Sequence, residues 1–424
     1  MRDFGKEGTG VWLKLAVVAA TAVWGLVIDV PALAQPSGDL HWVGTWATAT
    51  VARDPRVETD FRGRPLSEPP LNFSDQTLRQ IVRTTTSGSR VRVAVSNTFG
   101  SAPLSVGGAS VARRDSEATI VASSTRNLTF GGKPQIVIPA GTYILSDPVD
   151  FTVSAASDLA VDLYLPGDTG TGASPLTMHT VGVQTNYVSE KGNHVGSENL
   201  PVITTTQSWF FLSRVEVMAP ASVGVVVAFG DSITDGTRST PDTNNRWPNH
   251  LSKRLMEQGM NMGVLNTGIA ANRVLGEWRG VNALARFARD VLTQSGVTHV
   301  VVLEGINDLR RDPAVTAEDL IWGYRQLIAR AHARGIRIYG ATLLPCEGSG
   351  RWTPEVETKR QALNDWIRTS GAYDGVIDFD AAVRDPSAIS KMLSQYDSSD
   401  HIHPSDAGYK AMADAISLGL FAVD

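Results

Sequence analysis

From His41 to Val217 the apolar residues come in short runs broken by Gly, Pro, Asp and Ser. The stretch Arg90-Val91-Arg92-Val93-Ala94-Val95 alternates polar and apolar positions, which is the period of a strand with one buried face, and Gln135 to Pro139 and Leu159 to Leu165 read as further strands. Gly107-Gly108, Gly131-Gly132 and Gly141 supply turns between such runs, and no long stretch repeats its apolar positions at the helical period. This half is expected to be all-β, a sandwich or jelly roll. Arg53 to Asn72 and Gly167 to Ser174 read as loops.

The pattern changes after Met218-Ala219-Pro220-Ala221-Ser222, which reads as a linker over 218–222. Continuous apolar runs follow at Val223 to Phe229, Met262 to Asn266, Val297 to Glu304, Ile336 to Leu344 and Gly375 to Asp378. Between them lie segments with helical spacing, Trp247 to Gln258, Ala317 to Ala333 and Pro354 to Thr369, and Asp406 to Leu418 closes the series. Strands that alternate with helices need crossover connections, so this half is expected to be α/β, a parallel sheet with helices on both faces. Ligands in such sheets bind at the carboxyl ends of the strands.

Composition narrows the setting. With 42% hydrophobic and 19% charged residues the chain falls among folded globular proteins, and a net charge of -5 without a long basic run excludes nucleic acid as a partner. Arg2, Lys6 and Lys14 precede the apolar run Leu15 to Ile28, and Ala32-Leu33-Ala34 offers small residues for cleavage, so residues 1–34 read as a signal peptide. The run is shorter than the roughly 20 residues that span a bilayer, so the expectation is a secreted or periplasmic protein with no stable membrane insertion. The mature chain then divides into an N-terminal domain at 35–217, the linker, and a C-terminal domain at 223–424. Cys346 is the only cysteine; it cannot form an internal bridge and reads as a buried thiol.

Candidate chemistry sits at the strand ends. The first apolar run of the α/β half leads into Gly230-Asp231-Ser232-Ile233-Thr234-Asp235-Gly236, placing Ser232 where such a sheet meets its ligand. A serine hydroxyl needs a base to become a nucleophile. Near the C-terminus, Asp400-His401-Ile402-His403-Pro404 puts an acid and an imidazole three residues apart, so Asp400 can orient His403 and His403 can serve Ser232. Donors for an oxyanion are available in Asn266-Thr267-Gly268-Ile269-Ala270-Ala271-Asn272-Arg273 and in Gly305-Ile306-Asn307-Asp308.

These four blocks, in this order, resemble the SGNH or GDSL hydrolase superfamily over Val223 to Leu418. The resemblance implies a flavodoxin-like three-layer α/β/α domain, here behind an added all-β sandwich or jelly-roll domain. It also implies a carboxylic ester hydrolase with Ser232 as nucleophile, His403 as base and Asp400 as acid. Its oxyanion hole would use the Ser232 N–H, the Asn307 side chain and a backbone N–H from the second block. That last donor falls on Ala271, where the family's spacing has glycine, with Gly268 as the alternative. Alanine serves there only if the site does not demand a positive φ.

The function expected is therefore secreted serine esterase, acting through an acyl-enzyme on a carbohydrate O-acyl (acetyl) ester, with an acylated polysaccharide as the candidate partner. A lipase or broad lipid esterase, and a non-catalytic glycan-binding protein, are the rivals. No cofactor and no metal is implied, although His401, Asp397 and Asp406 crowd around Asp400 and His403. Asp231, Asp308 and Glu304 read as residues that hold their loops. Arg273, Trp278, Arg351 and Trp352 are candidates for the mouth of the site, and His41, His179 and His250 read as structural.

Overall fold

The computed structural model describes residues 39–53, 72–170 and 175–422. The expected signal peptide and nearly all of the loop expected over Arg53 to Asn72 lie outside the described residues, as do 171–174. From Asp39 onward the chain is one compact unit.

The first half is built of antiparallel sheets, as the alternating pattern predicts. One carries the strands Leu40–Ala47, Leu212–Pro220, Gly88–Ser96 and Tyr143–Leu145 in that order. The other centres on Gln76–Arg83, flanked by Asn186–Lys191 and Asp158–Leu165. Leu78 and Val82 of the second sheet join Val91, Val93 and Val95 of the first in a single buried core, so the two pack as a sandwich. Met218 to Pro220, expected in a linker, instead finish the strand Leu212–Pro220, which pairs along its length with Leu40–Ala47. Only Ala221 and Ser222 turn the chain into the next half. The apolar Val215, Val217 and Ala219 alternate there, so the strand period runs through the start of the expected linker and ends at Pro220.

The second half holds a parallel five-stranded sheet in the order Met262–Gly268, Gly224–Gly230, Val297–Leu303, Arg337–Ala341, Gly375–Ile377. Counted along the chain this is 2-1-3-4-5, the flavodoxin-like order, and it reverses direction beside the strand Gly224–Gly230. Right-handed crossovers therefore send the helix after that strand to one face and the helices after the third and fourth to the other. Trp247–Glu257 packs with Asp406–Asp414, and Ala317–His332 packs with Pro354–Thr369. Each is started by local chemistry that the sequence displays: Thr316 and Asp319 form a capping box, Thr353 caps a helix with Pro354 in its first turn, and Ser405 caps the last.

The edge strand Met262–Gly268 is covered by the β half. Val264 N–H donates to Thr85 Oγ1 at 3.0 Å, Thr86 Oγ1 donates to Asn261 Oδ1 at 2.8 Å, and His41 Nε2 lies 3.0 Å from the Val223 carbonyl. The strands Leu40–Ala47 and Met262–Gly268 approach through glycine, because a Cβ on Gly263 would stand 2.5 Å from the Gly44 carbonyl oxygen. Gly263→Val forces these backbones apart and should cost about 1–3 kcal/mol. It is expected to lower the urea midpoint of the full chain; an unchanged midpoint would show that the two halves do not depend on this contact.

Candidate active site

Ser232 follows the carboxyl end of the first parallel strand. Asp231 caps the four-residue helix Ser232–Asp235, its Oδ1 accepting from Ile233 N–H at 2.9 Å. Gly236 then ends the helix at φ 99°. Gly230 admits no side chain, since a Cβ there would lie 2.3 Å from the Leu303 carbonyl oxygen. Sharp entry and exit hold the Ser232 hydroxyl at the top of the sheet.

The loop before the last helix brings His403 to it. Ser232 Oγ–H donates to His403 Nε2 at 2.8 Å, and His403 Nδ1–H donates to Asp400 Oδ2 at 2.7 Å, the tautomer following from these partners. Asp400 Oδ1 accepts from the N–H groups of His403 and Ile402 at 2.9 and 3.2 Å, which closes the loop around the carboxylate. Burial works against charge on Asp400, but the His403 hydrogen bonds and those backbone donors outweigh it and hold the carboxyl well below the usual carboxylate range. An exposed guanidinium, Arg238, lies 3.2 Å from Asp400 Oδ2. Nothing in the spacing of the sequence marked it.

Three candidate donors stand on the segments that follow the first three parallel strands. The backbone N–H groups of Ser232 and Ala271 have no hydrogen-bond partner among the described residues. Asn307, at the start of the helix Ile306–Arg311, uses its Nδ2 on Asp231 Oδ2 at 3.3 Å, and its other amide hydrogen is free. Gly268 is not a donor to this space: its N–H is taken by Asn266 Oδ1 at 2.9 Å, while Asn266 Nδ2 braces the Thr234 carbonyl at 2.7 Å. Ala271 has φ 61°, so the position does demand the left-handed conformation that favours glycine.

Asp308 binds the N–H groups of Val274 and Leu275 at 2.8 and 3.0 Å and so pins the loop that carries Ala271. Asp231 and Glu304 are both pushed up, chiefly by burial, and each repels the other. Arg286, which sequence reasoning passed over, meets this charge. Its guanidinium is 1% exposed, donates to the carbonyls of Gly230 and Thr267 and to Asn272 Oδ1 at 2.7–2.9 Å, and lies 3.5 Å from Glu304. A buried arginine on a short helix leaves no signature in a hydrophobic pattern.

The other candidates separate. Cys346 is buried, and burial pushes its thiol up to about 11, so it is inert in the way the sequence suggested. His401 bonds Asp397, and Asp406 holds Thr240 N–H and Asn245; among the described residues no three His, Cys, Asp or Glu side chains are disposed to hold a metal. Arg273 is drawn inward to Asp308 and Asp312, while Trp278 and Arg351 are exposed and Trp352 packs against the core.

With this arrangement established, residues 228–411 match the model of the GDSL-like lipase/acylhydrolase family. The C-terminal half belongs to that family. The GDSL-like domain is thereby a carboxylic ester hydrolase domain. Among solved structures the chain is similar to a GDSL-like lipase from Bacteroides thetaiotaomicron VPI-5482, at 21% identity and TM-score 0.36 over 46% of this chain and 87% of that one. It is also similar to the M. smegmatis aryl esterase, at 16% identity and TM-score 0.37 over 45% and 95%. A carbohydrate acetylesterase family member from Sinorhizobium meliloti aligns at 16% identity and TM-score 0.36 over 45% and 94%. No curated protein matches the chain.

Two outcomes test the frame of this site. Ala271→Gly removes a left-handed alanine and is expected to raise stability by about 1 kcal/mol or less, read as a higher urea midpoint. Arg286→Met leaves Glu304 buried without its cation and Asp290 with Arg289 alone, and should cost about 3–5 kcal/mol by the same measurement.

Proposed function

We propose that the protein is an exported serine esterase that forms an acyl-enzyme on Ser232, with His403 as general base and Asp400 as the acid that orients it. The hydrogen-bonded series Ser232–His403–Asp400 is the observation that carries this reading. His403 takes the Ser232 proton as Oγ attacks the ester carbonyl, and the resulting oxyanion is met by Ser232 N–H, Ala271 N–H and the Asn307 amide. The protonated His403 then delivers its proton to the leaving alcohol. Water, deprotonated by the same imidazole, releases the acid. Asp400 stays ionised throughout, because its partners depress it.

The substrate we propose is an O-acyl, chiefly acetyl, ester of a carbohydrate. Trp322, 57% exposed, offers a flat indole face of the kind on which sugar rings stack, while Trp278 already has the Arg311 guanidinium over its ring at 5.0 Å. The competing lipid esterase reading draws on an open groove of about 310 Å³ lined by Leu275, Ala314, Val315, Asp319 and Trp322, which begins on the loop held by Asp308. Among the described residues no helix is long and apolar enough to cross a membrane. Export rests on the sequence of residues 1–34.

Hydrolysis of p-nitrophenyl esters from acetyl to long acyl chains separates these readings. Wild type is expected to prefer acetyl and Ser232→Ala to be inactive; a preference for long chains moves the assignment to lipids, and an active Ser232→Ala overturns the nucleophile. Asp400→Asn should lower kcat on the order of 10³–10⁴-fold, since an amide no longer selects the required imidazole tautomer.

A further inference from the structure

We propose that His179, contributed by the β half, is a positioning residue of the active centre: through Asp235 it fixes the turn that presents Ser232. The β half is then a working part of the esterase. This rests on the reading of Ser232 as the nucleophile.

His179 ends the strand Leu176–His179, and its ring is enclosed on both sides. Nε2 lies 3.0 Å from Asp235 Oδ1 and Nδ1 lies 2.7 Å from the Ala49 carbonyl oxygen. Both partners are acceptors. A neutral imidazole carries one N–H and satisfies only one of them, so the arrangement calls for the imidazolium. Burial opposes that charge, but the Asp235 carboxylate and the Ala49 carbonyl outweigh it and raise the ring above its ordinary value, against a smaller opposing effect of Arg246. The stability this pair contributes is therefore fully present below the ordinary imidazole value and is lost as pH rises through the raised one.

Asp235 is the last residue of the four-residue helix that begins at Ser232. Its Oδ1 is held by His179 and its Oδ2 is buried with no hydrogen-bond partner. The imidazolium is thus the side chain that satisfies this carboxylate. Without it the carboxylate must move or take a proton, and either disturbs the one turn of helix below the Ser232 hydroxyl. The space around the pair is a cavity of about 40 Å³ bounded by Arg246, Trp209 and Asn266, with room for no more than a few ordered waters.

The same segment of the β half reaches a second part of the site. Ala49 and Val51 form a separate apolar cluster with Ile269, two residues before Ala271. Ile269 N–H in turn donates to the Gly230 carbonyl at 3.0 Å. His179 and Ala49 therefore brace, respectively, the turn of the nucleophile and the loop of the proposed oxyanion donor.

The test uses the full chain and counts active molecules by stoichiometric labelling with a fluorophosphonate, so that kcat for p-nitrophenyl acetate is expressed per labelled site. His179→Gln is expected to lower that kcat about tenfold or more with KM within about twofold, the signature of misplacement rather than weaker binding. A kcat per labelled site equal to wild type overturns the proposal, because a merely structural histidine would reduce the number of active molecules and not their rate. A second measurement does not depend on His179→Gln folding. Wild-type kcat per site should fall at alkaline pH as His179 loses its proton, and Asp235→Asn, whose amide donates to the neutral ring, should lack that limb. The same limb in both, or in neither, also overturns it. Failure of the nucleophile itself shows separately, as hydrolysis by Ser232→Ala.

Discussion

The guanidinium of Arg286 joins the ends of the three strands from which the site is built. It donates to the Gly230 carbonyl just before Asp231 and Ser232, to the Thr267 carbonyl and Asn272 on either side of Ala271, and it faces Glu304 just before Asn307. Phe229 lies under its plane at 4.0 Å. A planar cation with five donors suits this place, because it can meet the Thr267 carbonyl and Asn272 while adding a second donor to the Gly230 carbonyl, which also accepts from Ile269 N–H. Asp290 completes the set at 3.1 Å. The spacing between the Ser232 turn, the Ala271 N–H and the Asn307 amide thus depends on one side chain that contacts none of the reacting atoms.

Two aspartates near Ser232 are pushed in opposite directions, and their surroundings explain their separate tasks. Asp231 is fully enclosed and near Asp308, which pushes its carboxyl up, and its hydrogen bonds fix the helix start and Asn307. Asp400 lies in a half-open loop that supplies donors from His403 and Ile402, which keep it charged. Asp400 is the carboxylate held charged beside the imidazole, whereas Asp231, pushed up to about 6 and still mostly ionised at neutral pH, spends its two oxygens on Ile233 N–H and the Asn307 amide. The left-handed Ala271 is held by its surroundings: the rest of the loop, pinned by Asp308 at Val274 and Leu275, keeps the unfavourable conformation in place.

The β half closes the exposed edge of the parallel sheet. Edge strands present unpaired backbone groups, and here Thr85 takes the Val264 N–H while Gly44 and Gly263 allow the strand Leu40–Ala47 to lie against the edge. Arg289 of the α/β half reaches back to the Thr50 carbonyl, and Arg214 of the β half reaches the Thr293 carbonyl. Polar bridges of this kind, together with a shared apolar core, make the chain from Asp39 one compact unit.

The sequence by itself determined the two periods, and with them the antiparallel and parallel halves, because strand alternation and strand–helix alternation are local properties of successive residues. It also marked Ser232 and Asn307, in short blocks at the ends of apolar runs, and Asp400 and His403, in a short block just before the last helix. What it did not determine depends on residues far apart in the chain. Met218 to Pro220 read locally as the start of a linker, yet the pairing of Leu212–Pro220 with Leu40–Ala47 carries the strand as far as Pro220. Gly268 and Ala271 were both open as donors until folding placed Asn266 against the Gly268 N–H. Arg286 and His179 look like an ordinary surface charge and an ordinary core histidine until the sheet brings three strand ends, and the Ser232 turn, to them. Burial and pairing of charge are set by what surrounds a side chain in space, and the tertiary structure alone decides that.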